Sequence, residues 1–161
     1  MINPDKKFME IAINEAKEIA KQGGYPIGAV IVKNGKVVAR GRSTANVNND
    51  PTSHAEIDAI RNATRKIGSM YLEDCILYTT LEPCAMCAAA AVWAKLKGIV
   101  YGASMEDTIN FANSIKKRNI SLSYRQIKIK CKNVLDKAET KLDLIEDFEK
   151  EKCIKLFELS K

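Results

Sequence analysis

The sequence predicts an α/β fold with three layers, in which helices cover both faces of a mixed β-sheet. Strand-like and helix-like segments alternate along the 161 residues in the order β-β-α-β-α-β, with a late strand and helices at both ends, and such alternation is typical of α/β domains. Apolar residues make up 46% of the chain and charged residues 29%, as in folded globular proteins. Since no linker or repeat divides the sequence, we expect one domain over residues 1–161.

The start of the chain predicts a helix followed by a β-hairpin. Asn3-Pro4-Asp5 is a typical helix start, and Gly23-Gly24 is expected to end that helix. Two strand-like runs, over 27–32 and 36–40, flank Asn34-Gly35. This dipeptide readily adopts the positive φ angles of a tight turn, so we expect the two strands to pair.

The remaining elements follow from capping residues, apolar runs and periodicity. The middle of the chain predicts helix, strand, helix and strand over 54–66, 75–80, 84–94 and 98–102. Beyond them, Ile127, Ile129 and Cys131 alternate with lysines, which predicts a strand with one solvent-exposed face. Apolar residues recur at helical spacing from Leu135 to Phe148 and predict an amphipathic C-terminal helix.

Composition and charge exclude several classes of protein. No apolar run approaches the roughly 20 residues that a membrane-spanning helix needs, and charged residues near the N-terminus argue against a secretory signal. Five cysteines in such a chain indicate the reducing cytoplasm. The 26 basic and 20 acidic residues give a net charge of +6, and a positive surface attracts nucleic acid. We therefore expect a cytoplasmic protein that is not inserted in a membrane.

The chain contains a metal-binding pattern. Its one histidine, His54, precedes Glu56 by two residues, and Cys84 and Cys87 follow in the run Pro83-Cys84-Ala85-Met86-Cys87. One imidazole and two thiolates suit Zn²⁺, and three protein ligands leave a position open for water, as a catalytic zinc ion requires. Glu56 is not needed as a ligand and is placed to carry protons. The pattern predicts a catalytic zinc site held by His54, Cys84 and Cys87.

Two other interpretations use the same residues. Cys84 and Cys87 form a Cys-x-x-Cys pair, which also occurs in redox proteins, but the Trp-Cys context of those motifs is absent. A closed structural zinc site would need a fourth ligand, for which Cys75, Cys131 and Cys153 are the candidates. Apart from that possibility, we expect these three cysteines to be buried thiols.

The residues around the pattern resemble those of a known superfamily. The runs Asn49-Asp50-Pro51-Thr52-Ser53-His54-Ala55-Glu56-Ile57 and Leu81-Glu82-Pro83-Cys84-Ala85-Met86-Cys87 are similar to the cytidine and deoxycytidylate deaminases, in the branch with guanine deaminase, cytosine deaminase and tRNA-specific adenosine deaminase. The resemblance extends from about Lys7 to Asn113. It implies a cytidine-deaminase-like five-stranded mixed sheet between helices, a homodimer, and zinc-dependent hydrolytic deamination.

The resemblance also implies roles for individual residues. Zinc-bound hydroxide would attack the amino-bearing ring carbon, and Glu56 would protonate the ring nitrogen and then the departing amine, so that ammonia leaves. The backbone N–H of Ala55 and the carbonyl of Glu82 would contact the base. The predicted substrate-contacting residues are Ser43, Ala55, Glu82, Asp107, Phe111 and Asn113.

Two substrate classes are compatible with the resemblance. The stretch from Asp107 to Ser114 resembles guanine deaminases. The run Asp50-Pro51-Thr52, in contrast, resembles tRNA adenosine deaminases as closely as it resembles guanine deaminases. Both groups have an asparagine that binds the base or ribose where this chain has Ser43, and guanine deaminases have an acidic residue where it has Asn113. We expect first a guanine-deaminase-like enzyme of purine metabolism that acts on a free nucleobase or nucleoside.

Two alternatives to that function remain open. A tRNA-specific adenosine deaminase would agree with the segment from Lys116 to Lys132, which has seven basic residues and no acidic one and would suit a phosphate backbone. The same segment also fits a solvated turn followed by an edge strand protected by lysines. A zinc-stabilised binding module without turnover is the other alternative, although it has no use for Glu56.

Overall fold

The structure is a computed structural model that describes residues 1–115 and 126–160. Its strands are β1 (Gly28–Lys33), β2 (Lys36–Arg42), β3 (Cys75–Leu81), β4 (Gly98–Ala103) and β5 (Asp143–Ile145). They form one five-stranded sheet in the order β2-β1-β3-β4-β5. β1 pairs antiparallel with β2 and β3, whereas β3, β4 and β5 run parallel. The predicted mixed five-stranded sheet is confirmed.

Helices cover both faces of this sheet. They are α1 (Lys6–Lys21), α2 (Ala45–Asn48), α3 (Ala55–Ile67), α4 (Ala85–Trp93), α5 (Met105–Ile115), α6 (Cys131–Asp136) and α7 (Lys150–Lys155), followed by a 3₁₀ turn at Leu156–Leu159. One apolar core joins α3, α4 and α6 to one face, and a second core joins α1, α5 and α7 to the other. The three-layer prediction is therefore confirmed. Within the described ranges, no helix is both long and apolar enough to cross a membrane.

Local sequence signals explain the N-terminal elements. Asp5 caps α1, because its side chain accepts a hydrogen bond from the N–H of Lys7 at 3.0 Å. Asn34 and Gly35 have φ angles of 50° and 71°. This left-handed pair closes the hairpin between β1 and β2, as the sequence predicts.

Two glycines allow helices to approach the sheet closely. A side chain at Gly28 in β1 would overlap with the backbone of α1 at Ala12, and one at Gly41 in β2 would overlap with the backbone of α3 at Ala55. Because α3 begins at the metal-binding pattern, the absence of a side chain at Gly41 helps to place that pattern against the sheet.

The strand predicted at residues 127–131 is wrong. Ile127 and Ile129 are exposed and lie outside any strand, and Cys131 is the first residue of α6. Cys131 is fully buried in the core on the α3 side of the sheet. The alternation of apolar and basic residues here reflects an irregular surface segment that leads into a helix.

The single helix predicted from Leu135 to Phe148 is also wrong. α6 ends at Asp136, and the edge strand β5 follows in the middle of the predicted helix. Within β5, Leu144 packs on the α3 side of the sheet and Ile145 on the α1 side. This alternation is that of a strand, and the apparent helical spacing arose from apolar residues of α6, of β5 and of the irregular segments on either side of β5.

Candidate active site

The two parts of the metal-binding pattern lie at the starts of two helices. His54 is the N-cap residue of α3 and Cys84 that of α4, and neither side chain makes a capping hydrogen bond to its own helix. Cys87 lies three residues after Cys84, one turn into α4, so both sulfurs can face the same point. The helix starts thus bring the imidazole and the thiols together.

The three side chains converge on one another. The Sγ atoms of Cys84 and Cys87 each lie 3.6 Å from Nδ1 of His54. A ligand atom of each residue lies within 4.8 Å of the others, so the group could hold a metal ion. Sulfur and imidazole nitrogen donors fit the ligand preferences of Zn²⁺.

The other cysteines do not join this group. Cys75, Cys131 and Cys153 are buried and form no disulfide bond, as expected for buried thiols. None of them belongs to the metal-binding group found among the described residues. The geometry therefore favours a three-ligand site over the four-ligand structural site.

The two cysteines of the site differ in their protonation. A hydrogen bond from the Cys87 thiol, together with His54, lowers the pKa of Cys84 to about 3. The same hydrogen bond to Cys84 and the burial of Cys87 raise the pKa of the Cys87 thiol. One thiolate is therefore present at neutral pH before a metal binds, and binding of a metal to both sulfurs would release the second proton.

Glu56 lies next to the group, in the first turn of α3. The residue is only 4% exposed, and this burial, reinforced by the negative charge of Cys84, raises the pKa of its carboxyl. Its Oε1 accepts a hydrogen bond from the hydroxyl of Thr79 at 3.0 Å. A raised pKa makes the protonated form of a carboxyl easier to reach, as the role of proton carrier requires. Sequence reasoning missed Thr79, although a polar residue inside the buried strand β3 was a usable signal.

A cavity of about 670 Å³ opens at the metal-binding group, a size typical of small-molecule sites. Ser43 lines it and is only 2% exposed. The structure thus brings several of the predicted site residues to one cavity. The predicted site residues that line this cavity are Ser43, His54, Ala55, Glu56, Glu82 and Cys84.

Further lining residues come from segments that are distant in the sequence. Tyr25, Asn46, Asn49, Gln126 and Ile127 also line the cavity. Asn46 donates a hydrogen bond to the carbonyl of Gly23 at 2.9 Å, which fixes the loop around the short helix α2. Asn49 begins a run that carries the family resemblance, but no sequence pattern predicted that these five residues would line one cavity, because they come together only when the chain folds.

The other predicted substrate contacts are on α5 and are not among the residues that line this cavity. Asp107 accepts hydrogen bonds from the N–H and the hydroxyl of Ser104 at 2.7 and 2.9 Å. Phe111 packs edge-on against Phe157, with ring centroids 5.6 Å apart, and Asn113 is exposed. Contact of Asp107, Phe111 and Asn113 with a substrate stays a prediction.

Part of the basic segment falls outside the described residues, namely Lys116, Lys117, Arg118 and Arg125. The remaining three lysines are exposed. Lys130 pairs with Glu106 at 2.8 Å and Lys132 with Asp136 at 3.5 Å. Two of the three described lysines therefore already have acidic partners.

The chain is similar in sequence to proteins of known activity. It is 46% identical over 101 residues to the guanine deaminase of Bacillus subtilis (strain 168), covering 62% of this chain and 65% of that protein. It is 41% identical over 96 residues to the tRNA-specific adenosine deaminase of Aquifex aeolicus (strain VF5), covering 60% of this chain and 64% of that protein. The chain thus spans less than two thirds of the length of either relative.

The fold and a family model agree with these similarities. A solved structure of a tRNA:A34 deaminase superimposes with a TM-score of 0.72 and 30% sequence identity, covering 94% of this chain and 99% of that chain. The family model for MafB19-like deaminases matches residues 3–142. Because this match includes most of the sequence, the chain belongs to the MafB19-like deaminase family.

Proposed function

We propose that this protein is a zinc-dependent hydrolytic deaminase of a free nucleobase or nucleoside, with guanine as the first candidate. The observation that carries the proposal is that ligand atoms of His54, Cys84 and Cys87 lie within 4.8 Å of one another. The buried carboxyl of Glu56 lies beside them, and His54, Glu56 and Cys84 line one cavity. Similarity to a guanine deaminase over 101 residues supports the choice of substrate.

The reaction adds water to the ring carbon that bears the amino group and releases ammonia. A Zn²⁺ ion bound by His54, Cys84 and Cys87 would supply Lewis-acid activation of water at neutral pH. Glu56 would carry a proton from that water to the ring nitrogen and then to the departing amine, because its raised pKa makes the protonated carboxyl easier to reach than in an exposed glutamate.

Backbone groups would orient the base. The N–H of Ala55 is in the first turn of α3, where amide groups have no acceptor within the helix. The carbonyl of Glu82 would accept a hydrogen bond from the base, since Glu82 lines the same cavity. One donor and one acceptor at fixed positions suit the edge of a planar base.

Replacement of Glu56 separates metal binding from catalysis. In Glu56→Ala we expect one zinc ion per chain, as in the wild type, and ammonia release lowered roughly 10³-fold, because a general acid–base group is lost. Metal analysis and an ammonia assay measure the two effects, and Glu106→Gln, which changes an exposed carboxylate, is the control. Loss of zinc, or undiminished activity, would contradict the assigned role.

If the wild type binds zinc but deaminates nothing, a binding module becomes the better interpretation.

A tRNA-specific adenosine deaminase is the second candidate. It is supported by the similarity to such an enzyme over 96 residues and by exposed lysines close in sequence to Gln126 and Ile127, which line the cavity. For this candidate, deamination of a tRNA anticodon stem-loop should weaken steeply as salt is added, because phosphate contacts release counterions. Activity on the stem-loop that equals activity on free bases and ignores salt would rule it out.

We also propose a single cytoplasmic domain that forms a homodimer. Trp93 is 76% exposed and Met70 65% exposed, and large exposed apolar side chains are typical of surfaces that bind a partner. The five cysteines form no disulfide bond, which supports a reducing compartment.

A further inference from the structure

Glu82 has a buried side chain with two backbone partners. The residue is 4% exposed and lies between the end of β3 and the metal-binding Cys84. Its Oε2 accepts a hydrogen bond from the N–H of Met105 and its Oε1 from the N–H of Cys131, both at 2.8 Å. These amides belong to the first residues of α5 and α6.

The two hydrogen bonds satisfy groups that are costly to bury unpaired. The first N–H groups of a helix have no acceptor within that helix, and a buried carboxylate needs hydrogen-bond donors. Among the described residues, the N–H of Met105 donates to Oε2 of Glu82 and the N–H of Cys131 donates to Oε1, so both carboxylate oxygens act as acceptors. A glutamine here would direct its NH₂ group towards one of the two amides.

The contact with Cys131 reaches the wall of the cavity. Gln126 and Ile127, which line the cavity, lie on the segment that leads into α6. At the surface, an ion pair of 2.8 Å between Lys130 and Glu106 joins the same two helix starts. Glu82 is thus connected through the backbone to Cys84, in the loop 82–84 between β3 and α4 (the metal-binding loop), and through its side chain to the wall segment 126–131.

We propose that the side chain of Glu82 is a positioning residue that fixes the wall segment relative to the metal-binding loop and thereby sets the width of the substrate cavity. Its kinetic consequence rests on the proposed deaminase function. The role is separate from that of the Glu82 backbone carbonyl, which a change of side chain leaves in place.

The wild-type protein offers the first test. NMR couplings across hydrogen bonds should connect the side-chain carboxyl carbon of Glu82 with the amide nitrogens of Met105 and Cys131. Absence of the coupling to Cys131 would overturn the proposal. This measurement needs no variant, so it decides the contact even if a replacement at Glu82 does not fold.

The variant Glu82→Gln tests the consequence. We expect hydrogen exchange at the amide of Met105 or Cys131 to become about tenfold faster, and KM to rise about tenfold while kcat changes much less, since one buried amide loses its acceptor. The zinc content should stay at one ion per chain. Glu106→Gln, which removes only the surface ion pair between the same helix starts, should leave the exchange rate, KM, kcat and zinc content unchanged.

The outcomes of the variant separate the two proposals. Wild-type exchange and KM in Glu82→Gln, or a loss of kcat with unchanged KM, would refute the positioning role. If the wild-type protein deaminates no base, the proposed function fails, whereas the couplings and exchange rates still show whether Glu82 holds the wall segment.

Discussion

The carboxyl of Glu56 is held in place by a hydroxyl that lies outside the metal-binding pattern. Thr79 is fully buried in β3, and its Oγ1 lies 3.0 Å from Oε1 of Glu56 and 3.2 Å from the carbonyl oxygen of Leu81. A side chain with two fixed partners has one favoured orientation. Thr79 therefore restricts where Glu56 can place its proton.

Removal of this hydroxyl should slow the reaction without affecting the metal. In Thr79→Val, which keeps the shape of the side chain, we expect kcat to fall about fivefold, the equivalent of roughly 1 kcal/mol for one hydrogen bond. KM and zinc content should be unchanged. Steady-state kinetics on the preferred substrate measures the effect, and Thr79→Ser, which keeps the hydroxyl, is the control. Equal rates for the valine and serine variants would show that the hydrogen bond has no role in turnover.

At the scale of elements, the position of the site depends on how closely α3 packs on β2. Gly41 faces the backbone of α3 between Ala55 and Ala59. Gly41→Ala should lower the free energy of unfolding by about 1–3 kcal/mol, because an added methyl group overlaps with main-chain atoms that cannot move independently. Urea unfolding measures the loss, with Lys36→Ala, an exposed change on the same strand, as the control. Equal stability of the two variants would mean that α3 adjusts freely, contrary to the packing described.

Elements with strong local signals were predictable from the sequence, and elements fixed by tertiary contacts were not. Asp5 and Asn34-Gly35 determine a helix start and a turn by their own chemistry, and the structure has both. β5 is only three residues long and is a strand because it pairs with β4, with Asp143 opposite Gly98. The start of α5 also depends on a residue that is distant in the sequence, since the N–H of Met105 donates a hydrogen bond to the side chain of Glu82.

The same distinction applies to the candidate site. The spacing of His54, Cys84 and Cys87 was sufficient to predict that they would meet, because both parts of the pattern begin helices. Thr79 reaches the site through the register of β3, and Gln126 lines the cavity from a segment far along the chain, just before α6. Neither of these can be obtained from residue spacing alone.

At the scale of the whole molecule, the exposed Trp93 at the end of α4 provides a test of the proposed dimer. Its 76% exposure would place a large apolar side chain in water in a monomer. Trp93→Glu should halve the molar mass measured by light scattering, because a charge is costly in an apolar interface. Ile109→Glu, at a 40% exposed apolar position on α5, is the control. A monomeric wild type, or a Trp93→Glu protein that is still dimeric, would contradict the proposed interface.

Ammonia release from the purified, zinc-loaded protein tests the proposed chemistry most directly. The substrates would be guanine, cytosine, adenine, their nucleosides and an adenosine-containing tRNA anticodon stem-loop, with Glu56→Ala as the blank. We predict release from a free base or nucleoside, with guanine first, and none from the blank. Release from the stem-loop alone would contradict the guanine-like assignment in favour of RNA editing. No release from any of these substrates by a protein that holds one zinc ion per chain would contradict deamination of the common bases.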